Sequence, residues 1–111
     1  MKREYIVILV TAGSGEEARK IAKGLVKERS AACINIISRI DSHFLWKGKI
    51  ERAAETLLII KTKKSYLKKV TELVKKLHSY KVPEIIALPI IGGNEDYLKW
   101  ISESVGKKGV V

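Results

Sequence analysis

Two histidines and a single cysteine supply the imidazole and thiol ligands of this chain of 111 residues. His78 ends an apolar-periodic segment, just before Ser79-Tyr80-Lys81-Val82-Pro83. An imidazole near a helix C-terminus is stabilised when charged and ligates a metal when neutral. Cys33 stands on a strand among small and apolar residues, where a thiol is either a soft ligand or a small hydrophobe. His43 falls near the far end of the same strand, solvated or at a subunit contact. A metal site gathers two to four ligands at about 2.0–2.3 Å, and no spacing here supplies such a cluster. Folding, or a symmetry axis, has to assemble it. Lys61 closes an apolar strand run and precedes Thr62. It is placed to hold an anion, or to pair with Glu84 or Glu55 in a cleft between subunits. Trp46 and Tyr80 suit the lining of that cleft, although aromatic residues at interfaces also serve packing alone.

Catalysis finds little to work with. A nucleophile needs a base and an orienting partner, and Cys33 with His78 is the only obvious pair. Nothing in the sequence brings them together, so the expectation is a protein that is not an enzyme. Two glycine-rich turns precede helices, at residues 11–15 and 92–94, which is where phosphate binds. The first lacks the Gly-Lys-Ser/Thr ending of a phosphate loop and runs into Glu16-Glu17. The second runs into Glu95-Asp96. Both read as helix-entry turns.

The positioning elements are legible from periodicity. Residues 4–11 form a strand whose continuous apolar run, Ile6 to Val10, implies cover on both faces. Ser14 with Glu17 is a capping box. Ala18, Ile21, Ala22, Leu25 and Val26 then trace one face of a helix to about residue 29. A long strand over residues 32–46 places Ala32, Ile34, Ile36, Ile40, Phe44 and Trp46 on one face by strict alternation, the pattern of an edge strand. Lys47-Gly48 makes the turn, and Leu57 to Ile60 ends the returning strand as a central one. A second helix spans residues 66–78. A strand over residues 85–91 contains Pro89, which belongs on an edge. Asn94 caps a last helix running to about residue 105. The order is βαββαβα, a single α+β domain over residues 1–111. Two interleaved βαβ units with right-handed crossovers make a ferredoxin-like sandwich, an antiparallel sheet with helices on one face and an extra C-terminal helix.

The paired long strands carry a further implication. Fifteen extended residues reach about 50 Å, against a radius of gyration of about 13 Å for a globule of this length. The ribbon must bend, bulge or leave its own subunit, and a protruding ribbon is marginal alone. Self-association is the economical outcome.

Composition narrows the class. At 46 % apolar residues the chain folds, and no run approaches the roughly 20 residues of a membrane-spanning helix. Met1-Lys2-Arg3 before an apolar run mimics a signal peptide, but Glu4 interrupts it. One cysteine precludes an internal disulfide and suits a reducing cytoplasm. The net charge of +10 invites a polyanion. However, Lys68-Lys69 and Lys75-Lys76 recur seven apart, so a solvated helix face is the favoured reading and nucleic acid the disfavoured one. Charged residues at 31 % also fit a thermophilic source.

Five blocks in register resemble the CutA family, named for divalent-cation tolerance: residues 30–37 (Ser-Ala-Ala-Cys-Ile-Asn-Ile-Ile), 46–51 (Trp-Lys-Gly-Lys-Ile-Glu), 58–62 (Leu-Ile-Ile-Lys-Thr), 77–86 (Leu-His-Ser-Tyr-Lys-Val-Pro-Glu-Ile-Ile) and 93–101 (Gly-Asn-Glu-Asp-Tyr-Leu-Lys-Trp-Ile). The resemblance implies a ferredoxin-like subunit in a cytosolic homotrimer, with a role in tolerance of metal ions, copper above all. Any divalent metal would be bound, not required for folding. Some family members look as if they carry a cysteine where this chain has Val10 and a histidine pair where it has Leu77-His78. Those are the ligands copper favours. Two other functions fit the elements: a trimer sensing a small ligand in its clefts, and a nucleic-acid-binding plait. The latter would need stacked aromatics on the middle strands, and residues 6–10 and 57–60 hold none.

Overall fold

A computed structural model describes residues 4–106. The elements run β1 (Tyr5–Ala12), α1 (Gly15–Lys27), β2 (Cys33–Trp46), β3 (Lys49–Lys63), α2 (Leu67–Leu77), β4 (Ile85–Ile90) and α3 (Glu95–Ser104), with a 3-10 turn at Lys64–Tyr66 before α2. All strands pair antiparallel in the order β2-β3-β1-β4. The apolar run of β3 is therefore central, as its sequence requires. Pro89 sits on an edge strand, where its missing N–H costs no ladder bond.

Each of the first two helices crosses between parallel strands that leave one strand between them, and both pack on one sheet face. Ile6, Ile8 and Val10 of β1 and Leu58 and Ile60 of β3 meet Ala18, Ile21 and Leu25 of α1 and Val70 and Val74 of α2 there. The two helices approach closely at Gly24. A Cβ there would lie 2.8 Å from a Leu77 methyl carbon, so a side chain at this position would force the end of Leu77 to move. Ser14 caps α1 by accepting the Glu17 N–H. Arg29, at φ 57°, then turns the chain sharply, ending the helix two residues earlier than its apolar pattern suggests. The Ser30 N–H and hydroxyl both go to the Leu25 carbonyl, and the Thr62 hydroxyl donates to the Ser30 carbonyl at 2.7 Å. This small polar knot fastens the start of β2 to β3.

Two features depart from the pattern of the sequence. First, α3 does not join the other helices. Leu98 and Ile101 pack with Tyr5, Ala32 and Ile90, and Tyr5 has the opposite parity to the core residues Ile6, Ile8 and Val10. The C-terminal helix thus lies against the other face, near the sheet end where β1 begins. Second, the even positions of β2 do not share one face. Ile34 and Ile36 pair with Ile60 and Leu58, but beyond a register shift Ile40 pairs with Glu55 and Phe44 with Glu51. Ser38 and Arg39 together oppose a single residue of β3, and Arg39 takes φ 62°. Such a bulge swaps the faces of everything beyond it. Ile40, Phe44 and Trp46 therefore belong to the face away from α1 and α2.

The hairpin closes with positive φ at both Lys47 (51°) and Gly48 (78°), the mirror-image turn that follows strand twist. The ribbon projects far enough to give the chain extents of 48 × 27 × 22 Å and a radius of gyration of 14.8 Å. Leu45 and Ile50 near its tip are 74 % and 81 % exposed. Behind it, the face not covered by α1 and α2 stays half open: Val7, Leu9, Leu57 and Ile59 are partly exposed, and Ile37, Ile86 and Leu88 are exposed. The cover that the apolar run of β1 calls for is only partly supplied by α3.

Candidate functional site

His78 caps the C-terminal end of α2 in extended conformation, and its own N–H still bonds the Val74 carbonyl. Its side chain is completely buried. The Nε2 atom lies 2.7 Å from the Thr11 carbonyl oxygen and must donate to it. The Nδ1 atom accepts the Tyr80 N–H at 3.0 Å. These partners fix the neutral tautomer carrying its proton on Nε2. Both nitrogens are engaged, so coordinating a metal would cost one of the two bonds.

Glu17 completes the cluster from α1. Its two carboxylate oxygens accept the Gly13 N–H at 3.1 Å and the Ser79 N–H at 2.6 Å, and the second lies 3.9 Å from His78 Nδ1. The capping box is thus redirected: Glu17 bonds the residue before the cap and a loop 62 positions later, instead of the Ser14 N–H. Burial pushes the Glu17 carboxyl up, but hydrogen bonds from Ser79 and Gly13 outweigh it, leaving the group below its usual value. Tyr80 lies with its ring 4.7 Å from the imidazole and donates its hydroxyl to Glu55 at 2.8 Å. Burial, then the Glu55 carboxylate, pushes the phenol up to about 12. Gly13 makes room for this ring: a Cβ there would come within 3.3 Å of the hydroxyl oxygen. The chemistry of the cluster is that of a clasp. It ties the ends of β1 and α2, the start of α1 and the loop that leads to β4.

The remaining candidates lie elsewhere. Cys33 is half-buried on the other face, opposite Lys61 in register, with Tyr97 of α3 against it. Burial first, and then the thiol, push the Tyr97 phenol up. Lys61 donates to the Asn35 side-chain carbonyl. Within the chain it pairs with neither Glu84 nor Glu55: Glu55 lies six residues back along β3, about 20 Å in an extended strand, and holds the Tyr80 hydroxyl. Glu84 is exposed and makes no ion pair among the described residues. Trp46 is at the ribbon tip, 57 % exposed, with the Lys47 ammonium 5.8 Å from its ring centroid. His43 stands 3.3 Å from Asp41, which also holds Arg52.

The chain therefore brings Tyr80 to His78, and Cys33 to Lys61, but does not unite the two pairs. Among the described residues, no three of His, Cys, Asp and Glu converge as metal ligands. Val10 is fully buried in the core. The sequence reading missed the second half of Glu17's role and the Tyr80–Glu55 bond. A Glu three residues after a capping serine is the only local signal for the former, and no local signal exists for a bond across 25 residues. A separate cavity of about 450 Å³ is lined by Tyr5, Ile6, Leu67, Pro89 and Ile90, with the Glu4–Lys64 ion pair at its wall. It contains none of the predicted residues.

Comparison with known proteins identifies the family of this fold. Residues 6–104 match the family profile described as "CutA1 divalent ion tolerance protein". The divalent-cation tolerance protein CutA of Thermus thermophilus is 49 % identical over 100 residues, covering 90 % of this chain and 97 % of that one. The chloroplastic CutA of Arabidopsis thaliana is 48 % identical over 99 residues, covering 89 % of this chain but 54 % of the plant protein. The chain thus spans about half the length of that plant relative and nearly all of the bacterial one. Among solved structures, the Thermus thermophilus protein superimposes with a TM-score of 0.90 at 48 % identity, over 92 % of this chain and 99 % of that one. The CutA1 of Oryza sativa gives 0.91 at 46 %, over 95 % and 96 %. A relative from Archaeoglobus fulgidus, at 0.89 and 45 % over 92 % and 99 %, is described as periplasmic, so relatives of this fold are named for more than one compartment. With its four-stranded antiparallel sheet, three helices and extended β2–β3 ribbon, the chain belongs to the CutA1 divalent ion tolerance protein family.

Proposed function

We propose that this ferredoxin-like chain works as a homotrimer that associates weakly with divalent cations, copper among them, and serves a binding or regulatory role and not a catalytic one. The observation that carries the reading is the half-covered sheet face, continuous in sequence parity with the ribbon beyond the bulge. Leu9, Ile59, Ile86 and Leu88 are apolar residues with too little of this chain above them, and large exposed apolar patches mark association surfaces. Neighbouring copies would cover them, and Trp46 on the projecting ribbon would then reach the next subunit. Clefts between subunits would gather what one subunit keeps apart: Trp46 of one copy with Lys61, Tyr80 and Glu84 of another.

Cation binding would be weak for a stated reason. The buried His78 already spends both nitrogens, and Cys33 is the single thiolate available. A site using either needs ligands from a second copy. The cytoplasm suits the free thiol of Cys33, and no described helix is long and apolar enough to cross a membrane.

Native mass spectrometry with copper(II) titrated in tests both parts together. The expected result is a particle of three chains that takes up copper reversibly and releases it to a chelator. A stable single chain of 12.4 kDa in dilute buffer would overturn the assembly. A trimer that takes up no copper would overturn the cation part alone.

A further inference from the structure

Against the solvated-face reading of the same lysines in the sequence, we propose that the layer formed by α1 and α2 binds the phosphate backbone of double-stranded nucleic acid without reading its sequence. The two helices lie side by side on one sheet face and spend their apolar stripes on the core, so their outer surface is almost wholly polar. Lys20, Lys23 and Lys27 of α1 and Lys68, Lys75 and Lys76 of α2 are all exposed there. None of the six forms an ion pair or hydrogen bond among the described residues. The acidic residues do not balance them. Glu17 is turned inward onto Gly13 and Ser79, which leaves Glu16, Glu72 and the α1 C-cap Glu28 as the exposed carboxylates of the layer. Much of the net charge of +10 is thereby concentrated on one side of the molecule, opposite the apolar face proposed for self-association. Assembly through that face would leave the lysines outward.

The composition of the layer selects the partner. Single-stranded nucleic acid is held by aromatic side chains on which bases stack, and neither Gly15–Lys27 nor Leu67–Leu77 contains one. A membrane-surface helix inserts its apolar side among lipid chains. Here Ile21, Leu25, Val70 and Val74 are fully buried in the core, and Val26 is the one exposed large apolar residue of the two helices. Duplex backbone needs neither: lysines at suitable spacing displace its counterions, and that term alone supplies non-specific binding. Lys20 to Lys27 and Lys68 to Lys75 each span seven residues, about 10 Å along a helix at 1.5 Å per residue. About 10 Å of duplex axis carries about six phosphates.

The test is fluorescence anisotropy of the full chain against a labelled 20-base-pair duplex of random sequence. The companion variants are Lys20→Glu/Lys23→Glu/Lys75→Glu/Lys76→Glu and the same four positions changed to Gln. With four to six phosphates contacted, affinity should fall about 100-fold between 50 and 150 mM salt. The Gln variant should flatten that salt slope by about one unit per lysine lost, and the Glu variant should not bind at 50 mM salt. Circular dichroism and light scattering should show both variants folded and of unchanged mass, because the four side chains are exposed and hold no ion pair or hydrogen bond among the described residues. No binding of the parent chain at 50 mM salt overturns the proposal, as does parent-like binding by both variants. Tighter binding to a single strand of the same length, or to vesicles rich in phosphatidylserine, overturns it in favour of that partner.

Discussion

The two faces of the sheet use nearly the same residues to different ends. On the α1/α2 side, Ile8, Val10, Leu58 and Ile60 are entirely buried. One position along, Val7, Leu9, Leu57 and Ile59 are just as apolar and only partly covered. The difference is not hydrophobicity but supply: two helices cover one face, while α3 covers one end of the other. An apolar run on a central strand specifies burial without specifying whose chain provides it. That distinction separates fold from assembly here, and changing single residues on the two faces should resolve it.

Ile60→Ala should have the largest effect on the single chain. Removing a fully buried Ile from a well-packed core costs about 2–5 kcal/mol, read as a fall in the denaturation midpoint. Ile59→Ala, one residue away on the open face, should cost a dilute single chain far less. Ile59→Asp should instead dissociate any assembly while leaving the secondary structure intact. If both alanine variants lost the same stability at every protein concentration, the open face would be closed within the chain and the contrast drawn here would fail.

His78→Ala should come next, at about 1–3 kcal/mol. It leaves the Thr11 carbonyl and the Tyr80 N–H without the partners they have in a buried setting. Copper affinity should change little by comparison. An unchanged melting temperature combined with a lost copper site would reverse that assignment and make His78 a ligand. Gly48→Val should cost about 1–2 kcal/mol, the price of holding a β-branched residue at positive φ, and the loss should be local to the ribbon. Hydrogen exchange confined to residues 40–55 would check it.

Much of this was readable in advance, and the failures have a common cause. The seven elements, the central and edge strands and the turn at Lys47-Gly48 follow from period-2 and period-3.6 patterns, which depend only on neighbours along the chain. The bulge at Ser38-Arg39 was not legible. No glycine marks it, and strict alternation carried Ile40, Phe44 and Trp46 to the wrong face. The side taken by α3 was also missed, because an amphipathic helix declares which of its faces is apolar but not which sheet face it will meet. At the candidate site, the sequence singles out His78 as a metal ligand and Tyr80 as a cleft-lining residue, but not their contact with each other. Their fixed tautomer and the Tyr80–Glu55 bond depend on contacts across the sheet. Lys61 found Asn35 rather than a carboxylate because Asn35 lies one strand over and two residues from its register partner Cys33.

The smallest expected effect is also the most specific, because it carries a sign in pH. Glu17 joins the two clusters of the α1/α2 side, the helix cap and the His78 loop, through its bonds to Gly13 and Ser79. Its side chain is 15 % exposed, and its pKa in the folded chain lies below the usual 4.5. A carboxyl whose folded pKa is depressed adds stability that is complete above its unfolded value and is lost as pH falls through the folded value. Glu17→Gln should therefore cost about 1 kcal/mol at neutral pH, the worth of charge-assisted bonds that an amide only partly replaces. The gap between variant and parent should hold steady down to about pH 4.5 and close below it. Denaturant titrations at pH 7, 5 and 3 measure that gap directly. A gap independent of pH would mean that Glu17 acts through the shape of its side chain and not its charge. The clasp around His78 would then be a matter of packing, like the rest of the face to which it belongs.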